Sequence, residues 1–358
     1  MLRVAICGGS GYTGGELIRL LLNHPRVKIT AITSERSAGK PVYQLFPNLR
    51  ISDRFEHIDI KKLIEKADLF FLCLPHKTSQ DVVYQLYKAG KKVIDLSADY
   101  RIKNPSVYEL WYETPHLYPA LLKKAVYGLP EIYKEKIKNA QIIANPGCYP
   151  TSAILGLAPA MKNLAVDIDS IIVDSKSGVS GAGRNPDLPF MFSEANESVK
   201  AYAVTTHRHT PEIEQELSFI SKKEVKIIFT PHLIPMDRGI LSTIYVKLKN
   251  SKQFTPPLLR KAGQALDGSQ LNELYQKFYA KEPFVRVLKN GEYPNTKAVK
   301  GTNFCDVAVF FDKRKNSLII VSVIDNLLKG ASGQAVQNMN IMYGFGETEG
   351  LTQFSAYP

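Results

Sequence analysis

Short apolar runs alternate with amphipathic stretches through the first half of the chain. Leu2–Cys7, Val27–Thr33, Leu69–Leu74, Lys92–Leu96 and Ile142–Ala144 are predicted strands. Gly14–Asn23 is a predicted helix with Leu17, Leu20 and Leu21 on one side, and Ser79–Ala89 is a second. Strand followed by helix, repeated, is the pattern of a parallel sheet covered by helices. The texture changes after Cys148. Ile171–Asp174, Lys226–Thr230, Leu241–Leu248, Val307–Asp312 and Ser317–Val323 are predicted strands with fewer helices between them. That predicts a mixed or antiparallel sheet in a second domain. The helical stretch from Asn326 to Met342 is expected to return to the first domain.

Length supports the same division, because 358 residues exceed one typical core. No apolar run approaches the roughly 20 residues that span a bilayer, so no membrane partner is expected. The apolar start runs within a few residues into glycines. It reads as a first strand and not as a signal peptide, and the cytoplasm is the expected location. Cys7, Cys73, Cys148 and Cys305 lie far apart without a CxxC pair, so neither metal nor disulfide framework is expected. Three of them sit in apolar segments, where packing is the expected role. The net charge is +12. Its lysines are scattered and no recognition motif accompanies them, so nucleic acid is not an expected partner. Steering of anionic, phosphorylated substrates accounts for the sign.

The first strand leads into Gly8-Gly9-Ser10-Gly11-Tyr12-Thr13-Gly14 and then a helix. Such a turn leaves room for a pyrophosphate against the backbone, with helix-start amides facing the anion. A plain strand-to-helix turn is the alternative reading. The second strand ends in Thr33-Ser34-Glu35-Arg36-Ser37. An acid there suits the ribose hydroxyls of NAD, whereas Arg36 with Ser34 and Ser37 suits the 2′-phosphate of NADP. Three donors against one acid favour NADP.

Asn145-Pro146-Gly147-Cys148-Tyr149-Pro150-Thr151 carries the most chemistry. A strand ends at Ala144, Pro146 and Gly147 turn the chain, and Pro150 suits the first turn of a helix expected over Thr151–Met161. Cys148 is thereby placed at a helix start, where the dipole favours the thiolate. A buried structural cysteine is the alternative. A thiolate beside a nicotinamide cofactor implies attack on an activated acyl carbon, a thioester, and its reduction to an aldehyde. The developing oxyanion needs a proton donor, and His207-Arg208-His209-Thr210-Pro211 offers two histidines ahead of a helix with Thr210 as its expected cap. Arg208 and Arg238 are candidates for the substrate's anionic groups. The loop Ser175–Arg184, rich in Gly and Ser, is a candidate cradle for a phosphate or carboxylate.

Taken together, GGSGYTGGEL, TSERSAGK, LPH, DLSADYR, YGLPE, NPGCYPT, SKSGVSGAGR, HRHTPEIEQ, FTPHLIPMDRGIL, KGTNFCDV and DNLLKGASGQAVQNMN resemble the N-acetyl-γ-glutamyl-phosphate reductase family of arginine biosynthesis, within the aspartate-semialdehyde dehydrogenase superfamily. The resemblance runs over nearly the whole chain. It implies a Rossmann-type NADP-binding domain (1–147 plus 326–358) and a glyceraldehyde-phosphate-dehydrogenase-like α+β catalytic domain (148–325), assembled as a homodimer or homotetramer. It implies Cys148 as nucleophile and His207 as acid/base, with His209 second. Gly8, Ser10, Gly11, Tyr12, Thr13, Gly14, Ser34, Arg36, Ser177, Gly178 and Asn326 are implied on NADP(H), and Asn145, Ser180, Arg208 and Arg238 on a small acyl-phosphate substrate. Glu35 departs from the implied NADP pattern. A reductase of aspartyl or aminoadipyl phosphate is the rival within the class. A non-catalytic NADP(H)-binding redox sensor is the rival outside it.

Overall fold

The computed structural model describes residues 1–184, 186–249 and 267–357. The chain divides into two compact units, Met1–Gly147 with Gly330–Thr352, and Cys148–Lys329 with Gln353–Pro358.

Six strands build the first unit: β1 (Leu2–Cys7), β2 (Val27–Thr33), β3 (Leu69–Leu72), β4 (Lys92–Asp95), β5 (Val126–Tyr127) and β6 (Ile142–Ala144). They form one parallel sheet in the order β2-β1-β3-β4-β6-β5. β3 is buried at every position, as a strand covered on both faces must be. The strand order reverses direction at β1 and β3, and the chain leaves β1 there through the glycine-rich turn. The helix Tyr12–Leu22 follows, burying Leu17, Ile18, Leu20 and Leu21. The C-terminal helix Gly333–Met342 belongs to this unit, and its Asn340 bonds His24 at 3.0 Å. The return to the first unit begins at Gly330 and not at Asn326, because residues 325–328 are tied into the second unit, as described below.

The second unit holds β7 (Ile172–Ser177), β8 (Lys200–Ala201), β9 (Ile228–Leu233), β10 (Ile240–Lys247), β11 (Val285–Val287), β12 (Cys305–Asp312) and β13 (Ser317–Ile324). Their order is β11-β12-β13-β10-β7-β9-β8. The pairs β7–β9 and β11–β12 are parallel and the others antiparallel, so the sheet is mixed as expected. Burial alternates along β7 and β10, the mark of a sheet with one packed and one open face. The helix Cys148–Asn163 packs on β10 and β13 and is buried over nearly its whole circumference. Buried hydroxyls seat it: Ser152 Oγ lies 2.9 Å from Ser242 Oγ, which lies 2.7 Å from Ser175 Oγ.

Candidate functional site

In the first unit the glycine-rich turn is fixed by what a side chain would strike. Gly8 has φ +85°, and a Cβ there would lie 2.4 Å from the Cys73 carbonyl oxygen. A Cβ on Gly14 would lie 2.6 Å from the Gly9 backbone, so the helix start packs directly on the turn. Gly11 is the contrast, since a Cβ there would meet nothing within 4 Å. Gly11 is the N-cap of Tyr12–Leu22, where no side chain caps the helix and no acid occupies its first turn. An open approach to an uncapped helix start fits a pyrophosphate, with the amides from Tyr12 onward as donors. Ser10 and Thr13 lie on this turn, and Ser34 Oγ donates to Ser10 Oγ at 2.8 Å, joining it to the end of β2. Ser34 and Ser37 are buried and Arg36 is exposed. The turn and the β2 end are thereby joined, with Arg36 two residues beyond Ser34.

Asn145 is held within its own unit. It is fully buried, its Nδ2 donates to the Ala331 carbonyl at 3.1 Å, and its Oδ1 accepts from Asn338 at 3.1 Å. Its carboxamide thus ties the end of β6 to the C-terminal segment of the same unit. Arg101, in the DLSADYR stretch, donates from Nε to the Asn145 carbonyl at 2.7 Å, holding the chain just ahead of the cysteine. Beside it Asp95 is fully buried, and burial together with Asp99 pushes its carboxyl up to about 7.

In the second unit Cys148 is the first residue of its helix, three residues earlier than predicted. Pro150 therefore sits in the first turn, where a missing N–H costs nothing. Cys148 and Cys73 are both half-buried and Cys7 is fully buried; desolvation pushes the Cys7 and Cys73 thiols up to about 12, and neither of those two begins a helix. Tyr149 follows it, buried, with its ring edge-on to His207 at 5.4 Å and to Phe229 at 5.3 Å. Tyr149 Oη lies 2.9 Å from Tyr202 Oη, and Tyr202 Oη lies 3.5 Å from His207 Nε2. Burial first, and the neighbouring Cys148 as a lesser cause, raise the phenol pKa of both tyrosines, which places Cys148 near the pair.

His207 is set by its own loop. Its Nδ1 accepts the backbone N–H of His209 at 3.1 Å, so the neutral ring carries its proton on Nε2, toward Tyr202. Burial first, and the Arg208 charge second, push its pKa down to about 4. His207 is thus a neutral Nε2–H donor near pH 7. His209 rather than Thr210 is the N-cap of the following helix, its ring 4.9 Å from that of His207. Arg208 is exposed.

The remaining predicted residues of this unit gather around two crossing loops. Gly178 N–H donates to the Gly239 carbonyl and Ser180 N–H to the Asp237 carbonyl. Asn326 Oδ1 accepts from Gly239 N–H at 2.7 Å, and its Nδ2 donates to Ser180 Oγ at 3.0 Å. Asn326, only 2% exposed, thus ties these loops together through both ends of its carboxamide. Arg238 lies 3.3 Å from the buried Asp325, which also accepts from Gly301, Leu327 and Leu328. Ser177 is buried and its hydroxyl is shared between the Gly178 carbonyl and the Tyr149 phenol. Among the described residues no group of His, Cys, Asp and Glu is arranged to hold a metal.

Comparison with known proteins gives this geometry a family. Residues 3–140 match the semialdehyde dehydrogenase NAD-binding domain, and residues 148–326 match the semialdehyde dehydrogenase dimerisation domain. The whole chain is 54% identical, over the full length of both proteins, to N-acetyl-gamma-glutamyl-phosphate reductase of Pelobacter propionicus. It is 49% identical, again over the whole of both, to that of Acetivibrio thermocellus. The chain belongs to the N-acetyl-gamma-glutamyl-phosphate reductase family. Among solved structures, aspartate semialdehyde dehydrogenase II of Vibrio cholerae superposes with a TM-score of 0.71 over 96% of this chain and 98% of that one, at 18% identity. The Candida albicans aspartate semialdehyde dehydrogenase, solved with NADP, gives 0.71 at 15% identity over the same shares. These two show the same fold.

For a member of this reductase family, three residues stand out that motif reading passes over. Tyr149 was visible only as the residue after the cysteine. Tyr202 lies in a stretch without a motif, five residues before His207. Arg101 was visible only inside a string of matched letters. For the two tyrosines the available signal was proximity in sequence to Cys148 and His207, which does not reveal a hydroxyl pair, and for Arg101 nothing in the string reveals a bond to a carbonyl.

Proposed function

We propose that this chain reduces N-acetyl-γ-glutamyl phosphate to N-acetylglutamate semialdehyde, releasing phosphate and consuming NADPH, through a thioester on Cys148. The observation that carries the reading is the cysteine at a helix start, followed by Tyr149 whose ring packs on a neutral, tautomer-fixed His207, in a chain about half identical to such reductases over its whole length. Bound NADPH supplies the hydride. The chain's own residues do the rest. The Cys148 thiolate attacks the γ-acyl carbon; a C–S bond forms, the bond to the phosphate oxygen breaks, and phosphate leaves. His207 Nε2–H donates to the oxygen that becomes negative, both at attack and at reduction of the thioester. Collapse re-forms the carbonyl, breaks the C–S bond and returns the thiolate. Arg208 and Arg238 supply positive charge for the substrate's phosphate and carboxylate. Ser180 is a further substrate contact, and Ser177 and Gly178 line the nicotinamide side.

The cofactor is NADP(H), held at the Gly8–Gly14 turn, Ser34 and Arg36. The assembly is a homodimer or homotetramer, with the open face of the second unit's sheet as the first contact. Ile172 and Tyr245 are exposed on it. No helix among the described residues is long and apolar enough to cross a membrane, and the cytoplasm is the proposed location.

Phosphate-dependent reduction of NADP+ by N-acetylglutamate semialdehyde tests the reading, with wild type beside Cys148→Ala. Activity in the wild type, and none in a folded Cys148→Ala protein, is expected. Wild-type activity with aspartate semialdehyde instead would keep the chemistry and change the substrate. Light scattering on the purified chain checks the assembly, and a monomer would overturn it.

A further inference from the structure

The acid at the end of β2 is the residue that departs from an NADP pattern, and the structure shows where it goes. Glu35 Oε1 accepts the Ile58 backbone N–H at 2.8 Å, and Glu35 Oε2 lies 2.9 Å from His57 Nδ1. Ile58 and His57 belong to a segment that runs beneath the same loop. Glu56 forms a parallel bridge with Thr33, its N–H donates to Ile32, and its carbonyl accepts Ser34 N–H at 3.0 Å. Phe55 exchanges hydrogen bonds with Gly39 and Lys40 on the far side of the loop. The segment 54–58 is thus laced to the loop 33–40 on both sides, and Glu35 is clasped onto it.

An acid in this position has two uses that exclude each other. Turned to the adenosine ribose, it accepts the 2′- and 3′-hydroxyls and selects NAD. In that same place it would repel a 2′-phosphate. Turned onto the 57–58 backbone, it leaves the loop to Ser34, already bonded to Ser10 of the phosphate turn, and to Arg36. We infer that the Ile58 amide and His57 form a clasp that holds Glu35 off the adenosine ribose, and that this clasp sets the preference for a 2′-phosphorylated cofactor. The proposal rests on the reading of the turn and loop as a dinucleotide site. Glu35 and His57 are positioning residues for discrimination, neither touching the reacting atoms. The Ile58 amide, ahead of His57, holds the Glu35 carboxyl below the usual carboxylate range, so the clasped side chain is an anion. The pair is exposed, at 61% for Glu35 and 73% for His57, so solvent screens it and the effect is modest.

The test uses the full chain and the adenosine end of the cofactor alone. Dissociation constants for adenosine 2′,5′-bisphosphate and for 5′-AMP are measured by calorimetry on wild type, His57→Ala, Glu35→Gln and the double variant. Both residues are exposed, so each variant is expected to melt with the wild type. His57→Ala loosens the clasp and is expected to weaken the bisphosphate by about two- to fivefold, the range of one exposed side-chain contact, without weakening AMP. In the Glu35→Gln background the same His57→Ala change is expected to do nothing, because the charge it would release is gone. An equal loss in both backgrounds would overturn the proposal and place His57 itself on the phosphate. No loss in either would also overturn it. A wild type that does not prefer the bisphosphate to AMP would instead bring down the cofactor reading, and the clasp with it.

Discussion

The two units present their chemistry in different materials. The Gly8–Gly14 turn works with backbone: a left-handed glycine, a helix start without a cap, and open space at Gly11. The Cys148 cluster works with side chains drawn from four places: Cys148 and Tyr149 on one helix, Tyr202 beyond β8, His207 on the next loop and Phe229 on β9. A backbone device is written in consecutive residues, because each glycine answers a local steric demand. A side-chain device is written in residues far apart, and its parts mean little until the chain folds. The first is broken by adding atoms and the second by removing them.

The largest effects come from removal. Cys148→Ala deletes the nucleophile and is expected to lower turnover by at least about a thousandfold. Binding of adenosine 2′,5′-bisphosphate, read by calorimetry, should stay as in wild type. Loss of both together would mean that the variant is misfolded or that the regions are not separable. His207→Ala is expected to cost about 10²–10⁴ in kcat/KM, the range of a lost proton donor. His209→Ala keeps the backbone N–H that fixes the His207 tautomer, so its loss should stay within about tenfold. Steady-state kinetics on both variants decide the assignment. A reversal of the two would move the donor to His209.

Addition of a single methyl group probes the other region. Gly8→Ala places a Cβ at positive φ and 2.4 Å from the Cys73 carbonyl oxygen. It is expected to cost about 3 kcal/mol of stability, seen as a lower midpoint in urea. Gly11→Ala meets no atom within 4 Å and should melt like wild type. It intrudes where the pyrophosphate approaches, so NADP+ affinity should fall by about tenfold or more. If Gly11→Ala binds NADP+ normally, the open space at Gly11 does not receive the phosphates.

The same contrast explains what could be read from the sequence. β1, β2 and β6 fall where the apolar runs place them, because a covered parallel strand is a continuous apolar word. β5 and β8, of two residues each, are too short to carry a pattern. Cys148 is legible from a turn, a proline and a helix. Asn145 and Asn326 carry bonds that the sequence does not show. An asparagine at a strand end or ahead of a helix reads alike whether its carboxamide faces a ligand or braces a loop, and here both brace. The bonds of Glu35 are hidden too, since its partners lie more than twenty residues away at His57 and Ile58.

The smallest effect sharpens the role of His207. Its pKa in the folded chain, about 4, lies below its ordinary value of 6.5. Between those values the unfolded chain binds the proton that the folded chain refuses, so stability rises with pH across that window. The contribution is fully present above about pH 6.5 and is lost as the pH falls toward 4, by at most about 3 kcal/mol. His207→Gln removes the titrating group, so its melting temperature should fall less than that of wild type between pH 6.5 and 4. Arg208→Gln removes the second cause and leaves burial, the first, so it should recover only a smaller share. Melting profiles in which both variants run parallel to wild type would show that His207 takes up its proton freely in the folded chain. The donor would then be an imidazolium through the acid range, and Cys148 would face a charge and not a neutral ring.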